Sequence, residues 1–479
     1  MGSEHLAVEV EVKAAEIGED EVEEPVSPTG QYFNSSALCV CILGVFESDV
    51  PIDDSQTFPL LETLFLPISP RFSSIMTTLS QVKDSHGVQQ WRRVKVNLSD
   101  HVKVPVFPAG LSTPTYDELV QDYVSKIATD RLPESRPLWE LHIIKYPTSH
   151  GEGTVMFKLH HALGDGFSLM GALFSCVKRA DDPSLPLTFP GKTAGAGFCA
   201  GGPGLVSLGM NTVRDFVWGM AKSTFVEDEV SAIRSGMEGV ESRQIEMSFV
   251  TFSLDDVRRI KARIGGTVND IICGIIFHGT QLYLQSVGDG SKSAQATALV
   301  LLNTRVIDNY RNPKEMTKPD AESPWGNQFG FMHVSVPTRN GLDKDDPLKI
   351  ISKVKRLIKR KKSSLGVFLT GQLLETMRRF RGPEVTAQYI HSTLKNTSMT
   401  ISNLIGPKEK MSLADHPIRS FHFMVVGVPQ SLTITMVSYM GKLKVAMGTE
   451  KGFIDSKLLT TCMEKAFKRI YEAALEEKP

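Results

Sequence analysis

No charge of one sign dominates this chain. Lys and Arg total 53 against 54 Asp and Glu, a formal net charge of -1, so no overall field gathers nucleic acid. Cysteine is scarce. The six residues Cys39, Cys41, Cys176, Cys199, Cys273 and Cys462 show neither metal-ligand spacing nor an evident disulfide frame. A reducing, cytosol-facing environment fits them. The N-terminus lacks a basic region leading into an apolar core, so it does not read as a secretory signal. Met1-Gly2-Ser3 lacks the Ser or Thr at position 6 that myristoylation requires. No internal repeat is visible. Long clean apolar runs are missing too: Leu38–Phe46 is too short to span a bilayer. From Ala194 to Arg214 there are about 20 uncharged residues, but many are glycine and Pro203 interrupts them. That segment reads as an amphipathic helix on a membrane surface rather than a crossing.

What is present is ordinary for a globular enzyme: 479 residues, 41% hydrophobic and 22% charged. The length suggests two or three domains, or one large two-lobed molecule. Residues 1–24 form an acidic tail, ending Glu19-Asp20-Glu21-Val22-Glu23-Glu24, which reads as disordered. A first lobe runs from 25 to 180, and a Gly/Pro-rich linker with the apolar helix from 181 to 243. A second lobe runs from 244 to 479. In the first lobe, Leu38–Phe46 reads as a buried strand, and Gln90–Asn97 and His101–Val104 as further strands. Leu141–Tyr146 reads as a strand paired beside the one leading to His161. In the second, Ser253 and Thr267 cap helices, and Met440-Gly441 turns a hairpin. Leu348, Ile351, Val354 and Ile358 form the buried stripe of a helix over 347–361. Its other face is basic and suits solvent, anionic lipid or phosphates.

The chain is organised around His160-His161-Ala162-Leu163-Gly164-Asp165-Gly166, between a strand-like run (154–159) and a helix-like run (167–178). Side chains alternate faces in a strand, so the two imidazoles point in opposite directions. A neutral histidine at a strand end can take a proton from an alcohol near pH 7. Asp165 either orients that histidine or holds the loop through an arginine, for which Arg305 is a candidate. The glycines flanking Asp165 permit a tight, left-handed turn.

His-His-x-x-x-Asp-Gly between strand and helix resembles the active-site motif of the CoA-dependent acyltransferase superfamily. That superfamily includes chloramphenicol acetyltransferase, peptide-synthetase condensation domains and wax ester synthases. Pro137-Leu-Trp-Glu140, Thr267-Val-Asn-Asp270, Trp325-Gly-Asn-Gln-Phe-Gly330, Ile401-Ser-Asn-Leu-Ile-Gly-Pro407 and the opening Pro25–Phe33 extend the likeness over nearly the whole chain. Together they resemble the bifunctional wax ester synthase/diacylglycerol acyltransferase family in its plant form.

The resemblance implies an α/β fold of two chloramphenicol-acetyltransferase-like lobes, each a mixed sheet flanked by helices, with a tunnel between them. It implies transfer of a long acyl group from acyl-CoA to a fatty alcohol or to diacylglycerol. His161 is then the general base, with no acyl-enzyme. His160 assists, Asp165 supports the loop and Gly166 completes the motif. Asn269, Asp270, Asn327 and Asn403 are candidates for substrate or oxyanion contact, with helix capping or lobe packing as the alternatives. No metal and no bound cofactor are implied; acyl-CoA is a substrate. A membrane surface is the expected partner, at the endoplasmic reticulum or plasma membrane with the lobes facing the cytosol. Two other readings stay open: transfer to a soluble alcohol or amine, and a non-catalytic lipid-binding scaffold.

Overall fold

The computed structural model describes residues 24–78, 89–190, 205–288, 296–305, 316, 325–337 and 346–476. The acidic tail up to residue 23 and the glycine-rich stretch 191–204 lie outside them. The strands that frame the site are β1 (Cys41–Ser48), β2 (Trp139–Ile144), β3 (Gly153–His160), β4 (Ile245–Ser253), β5 (Thr297–Asn303), β6 (Phe329–Ser335), β7 (Met399–Ile405), β8 (His416–Val426), β9 (Leu432–Tyr439) and β10 (Lys442–Glu450). The helices are α1 (Pro28–Phe33), α2 (Gly166–Ser175), α3 (Leu205–Thr224), α4 (Val268–Ser286), α5 (Pro347–Lys362), α6 (Gly366–Lys395) and α7 (Ser456–Leu475).

The larger sheet has seven strands in the order Val102–Lys103, β2, β3, β1, β8, Met411–Leu413, Lys178–Arg179. All eight residues of β1 are buried, which suits a strand covered on both faces. The second sheet has six strands, β6-β5-β7-β9-β10-β4. Its β5–β7 and β7–β9 pairs are parallel and the rest antiparallel. Helices α4, α5 and α7 cover it, through a cluster that includes Ile351, Val354, Ile276, Met463 and Ile470. The molecule is thus two α/β lobes, each a mixed sheet flanked by helices.

Strand β8 comes from the second half of the chain yet pairs with β1 in the first sheet, Phe421 opposite Phe46. A buried ion pair reinforces the junction: Lys444 on β10 donates to Glu47 on β1 at 2.8 Å. Two expected strands differ. Residues 90–97 pair only over Gln89–Arg93, in a separate three-stranded sheet with Glu24–Pro25 and Ser74–Thr78. In 101–104, His101 ends a short helix that starts at Leu98, leaving only Val102–Lys103 to pair. The capping and turn expectations hold. The Ser253 hydroxyl accepts from the Asp256 N–H, and Thr267 and Asp270 form a reciprocal capping box. Met440 and Gly441 adopt φ of 49° and 72°, as a two-residue hairpin turn of this hand requires. No helix among the described residues is long and apolar enough to cross a membrane.

Candidate active site

The motif lies where the lobes meet. β3 delivers His160 and His161 at its end, and α2 begins at Gly166 with Asp165 as its cap. From the second lobe come Arg305, just after β5, and Trp325–Gln328, just before β6. The two histidines diverge. His160 accepts from the Ala162 N–H through Nδ1 at 3.1 Å, and its Nε2 lies 3.4 Å from Cys39 Sγ. The His161 N–H donates to the Val40 carbonyl at 2.9 Å, and its ring faces Phe33 and Phe329, with centroids at 4.5 and 5.4 Å.

His161 is 5% exposed, packed between the rings of Phe33 and Phe329. Its Nδ1 makes no hydrogen bond. Burial lowers the imidazole pKa to about 4; the charge of Asp165, the residue's own carbonyl and Asn327 offset only part of that. The ring is therefore neutral at pH 7. Asn327 Nδ2 donates to the His161 carbonyl at 2.9 Å, fixing the backbone that carries the ring.

Asp165 does not touch His161. Its Oδ1 accepts from the Ser168 N–H at 2.9 Å, capping α2. Its Oδ2 accepts from Arg305 at 2.5 Å and from the Gln328 N–H at 2.9 Å. The Arg305 guanidinium also donates to the Gly326 carbonyl at 2.6 Å and Ser168 Oγ at 3.1 Å. Trp325 and Arg71 both donate to the Leu163 carbonyl, at 2.7 and 3.3 Å. The loop after His161 is thus tied to the other lobe at several points.

The left-handed backbone that these glycines would permit is not used. Neither Gly164 nor Gly166 has positive φ. Gly164 is needed for space instead: a Cβ would lie 3.1 Å from the Ser168 Cβ and 3.4 Å from the Trp325 indole nitrogen. Of the four polar candidates, Asn327 alone is bonded to the His161 residue. Asn403 donates to Asn269 near the end of β7, and Asp270 is engaged in its capping box. Three contacts went unread in the sequence: Phe33, Phe329 and Cys39. Phe33 and Phe329 sat inside the motifs Pro25–Phe33 and Trp325–Gly330, and of the two only Phe329 stands beside a glycine.

His161 shares its depressed pKa with His278 and His333, both lowered to about 4 chiefly by burial. Below pH 6.5 the unfolded chain binds protons that these folded imidazoles refuse. Their contribution to stability is complete above the ordinary histidine pKa and is lost as pH falls toward about 4. Each adds up to about 1.4 kcal/mol per pH unit to the slope. The denaturant midpoint is expected to drop between pH 7 and 5, above the range where most carboxylates titrate, and less steeply in His333→Gln. A midpoint flat over that window contradicts this.

Known proteins share the sequence and the fold of this chain. The wax ester synthase/diacylglycerol acyltransferase catalytic-domain model matches residues 34–272, and the WS/DGAT C-terminal-domain model matches 325–471. Wax ester synthase/diacylglycerol acyltransferase 6 of Arabidopsis thaliana is 30% identical, over 98% of this chain and 97% of that relative. The Arabidopsis protein numbered 4 in the same series is 30% identical over 90% and 86%. Among solved structures, the wax ester synthase/diacylglycerol acyltransferase of Marinobacter aquaeolei VT8 superposes with a TM-score of 0.59 at 15% identity, covering 94% of this chain and 99% of that one. The first condensation domain of the CDA synthetase gives 0.54 at 11% identity, over 95% and 97%. At those identities the structures speak for the fold alone.

Proposed function

The chain belongs to the wax ester synthase/diacylglycerol acyltransferase family and is an acyltransferase, and from that premise we propose that it moves a long acyl group from acyl-CoA to a fatty alcohol or to diacylglycerol, with His161 as general base. The observation that carries the reading is the His161 imidazole, buried, neutral and unpartnered at Nδ1, between Phe33 and Phe329 at the junction of the lobes. An apolar wall suits acyl or alkyl chains, and the ring is the basic group among them.

An alcohol is a poor nucleophile until its proton leaves during attack. His161 takes that proton as the hydroxyl oxygen adds to the thioester carbon. A tetrahedral oxyanion forms, and its charge beside the ring stabilises the imidazolium that burial alone disfavours. Collapse expels the CoA thiolate, which receives the proton back from His161. No covalent enzyme species intervenes, so both substrates sit in the site together. His160, turned toward Cys39, acts on the turn rather than on substrate, and Asp165 positions the loop. The lipid acceptors place the enzyme at a membrane surface, of the endoplasmic reticulum or plasma membrane, with both lobes on the cytosolic side.

Labelled palmitoyl-CoA supplied with hexadecanol or with diacylglycerol tests this. Wax ester or triacylglycerol is the expected product. Initial rates with both substrates varied should give intersecting double-reciprocal lines, and acyl-CoA alone should leave no label on the protein. Parallel lines with labelled protein rule out the direct transfer. A folded enzyme that makes neither lipid but acylates a soluble alcohol or amine shifts the assignment to that acceptor class.

A further inference from the structure

Helix α3 carries an apolar ridge on its outer side. Val206, Met210, Val213 and Val217 are 77, 70, 62 and 53% exposed, and Met220 continues the series. The 4-3-4-3 spacing stacks them on one face, about 21 Å long at 1.5 Å per residue. The opposite face packs on the protein: Lys222 and Asp215 are buried there, paired with Asp228 and Lys361. The ridge is therefore not left over from a poorly placed helix. At the start of α6, Leu365 donates its N–H to Thr212 Oγ1 on α3 at 3.0 Å. Leu365 and Phe368, both exposed, widen the apolar face on that side.

On the other flank is a hollow of about 270 Å³ between α3, α5 and the end of β6, lined in part by Arg214, Asp215, Trp218, Ser335, Arg360 and Lys361. Three cations share it with one carboxylate. Asp215 is committed to Lys361 at 2.7 Å, and among the described residues neither Arg214 nor Arg360 is paired with a carboxylate. The buried Arg360 Nε makes no hydrogen bond. Burial lowers the Lys361 pKa; Asp215 opposes this, while Arg360 and Arg214 add to it. The hollow therefore carries an excess of positive charge. Lys353 and Arg356 continue the cationic column at helical spacing along α5. An apolar ridge rimmed on one side by unpaired cations complements a bilayer whose surface carries phosphate.

We propose that the outer face of α3 docks on an anionic phospholipid surface, with Arg214 and Arg360 taking a lipid phosphate in the hollow beside Trp218. The inference deepens the lipid-acyltransferase reading by naming the surface and the lipid charge. Helix α6 packs on α3, and its Val367 touches Gly330, the neighbour of Phe329 on the His161 wall.

The test is flotation of the full chain with vesicles of phosphatidylcholine alone or mixed with phosphatidylserine, beside acyl transfer in detergent without vesicles. Wild type should float with the mixed vesicles at least about tenfold better than with phosphatidylcholine. Trp218 emission should shift on binding, because Trp91, Trp139 and Trp325 are buried; the shift should vanish in Trp218→Phe. Val213→Asp/Val217→Asp should abolish flotation. Arg214→Ala/Arg360→Ala should erase the preference for phosphatidylserine while leaving residual binding. All these positions are away from the histidine, so activity in detergent and the melting temperature should match wild type. Inorganic phosphate at millimolar levels should not displace bound vesicles; full displacement would identify a free-phosphate site and overturn the lipid assignment. Equal flotation on both vesicle types, or variants that float like wild type, also overturns it. Wild type active in detergent but never floating refutes the docking alone, whereas flotation without transfer to either lipid acceptor refutes the catalytic reading alone.

Discussion

His161→Ala is expected to slow acyl transfer by about 10²–10⁴-fold, the usual contribution of a positioned general base. The near-isosteric His161→Gln should fall equally far. It separates the loss of the base from the cavity that alanine opens between Phe33 and Phe329. Neither change removes a charge at pH 7, because burial keeps the imidazole neutral with a pKa of about 4. The folded protein should therefore persist in both. The pH dependence gives a second readout. For the free enzyme, kcat/KM should stay level as pH falls through the ordinary histidine range and bend only toward pH 4, where the ring takes up a proton. The enzyme is held at pH 7 until each assay, so that acid unfolding does not enter the rate. His160→Ala should cost much less, because that ring bonds to the Ala162 N–H and faces Cys39. Undiminished turnover in His161→Gln removes the residue from the mechanism. A limb at the unshifted histidine value shows that the site opens to water before the proton moves.

The motif was legible because its information is local. A strand running into His160-His161, a turn and a helix opened by Asp165 follow from alternation, capping and a short spacing. The Asp165–Arg305 pairing was also readable: a buried carboxylate needs a cation, and Arg305 ends a buried strand. What local pattern could not carry was pairing at a distance. Nothing in 416–426 marks it as a neighbour of β1 rather than of β7, since both choices bury the same apolar residues. Helix α6 was missed for a related reason. Residues 366–395 hold Gly371, Gly382 and Pro383, which weaken a local helix signal, and Gly382 leaves helical geometry with φ 85°. Packing on α1, α3 and β6 holds the segment helical on both sides of that kink. The turn glycines show the same limit in reverse. Glycine there permits positive φ, whereas Ser168 one turn on and Trp325 from a distant part of the chain make Gly164 a matter of room.

Arg305→Ala is expected to destabilise the protein by about 3–5 kcal/mol, because it strands the Asp165 carboxylate in the interior. Both side chains are nearly inaccessible, at 1% and 3% exposure. Asp165 would keep only the Ser168 and Gln328 N–H donors, and Gly326 and Ser168 would lose their guanidinium partner. Asp165→Asn/Arg305→Met should be less destabilised than Arg305→Ala, because no uncompensated charge remains and the methionine refills the space beside Phe167. The pair also joins the helix that follows His161 to the strand that precedes Asn327. Its loss should lower kcat in proportion to the loosening of the histidine, with much smaller change in KM for acyl-CoA. A role in positioning and a role as charge partner of His161 separate in the double variant. If Asp165 only positions the loop, refilling the space should recover activity along with stability. If its charge sustains the base, stability should return while turnover stays at the level of Arg305→Ala. The contacts favour the first outcome: among the described residues the Asp165 carboxylate accepts from Ser168, Arg305 and Gln328, and not from the imidazole.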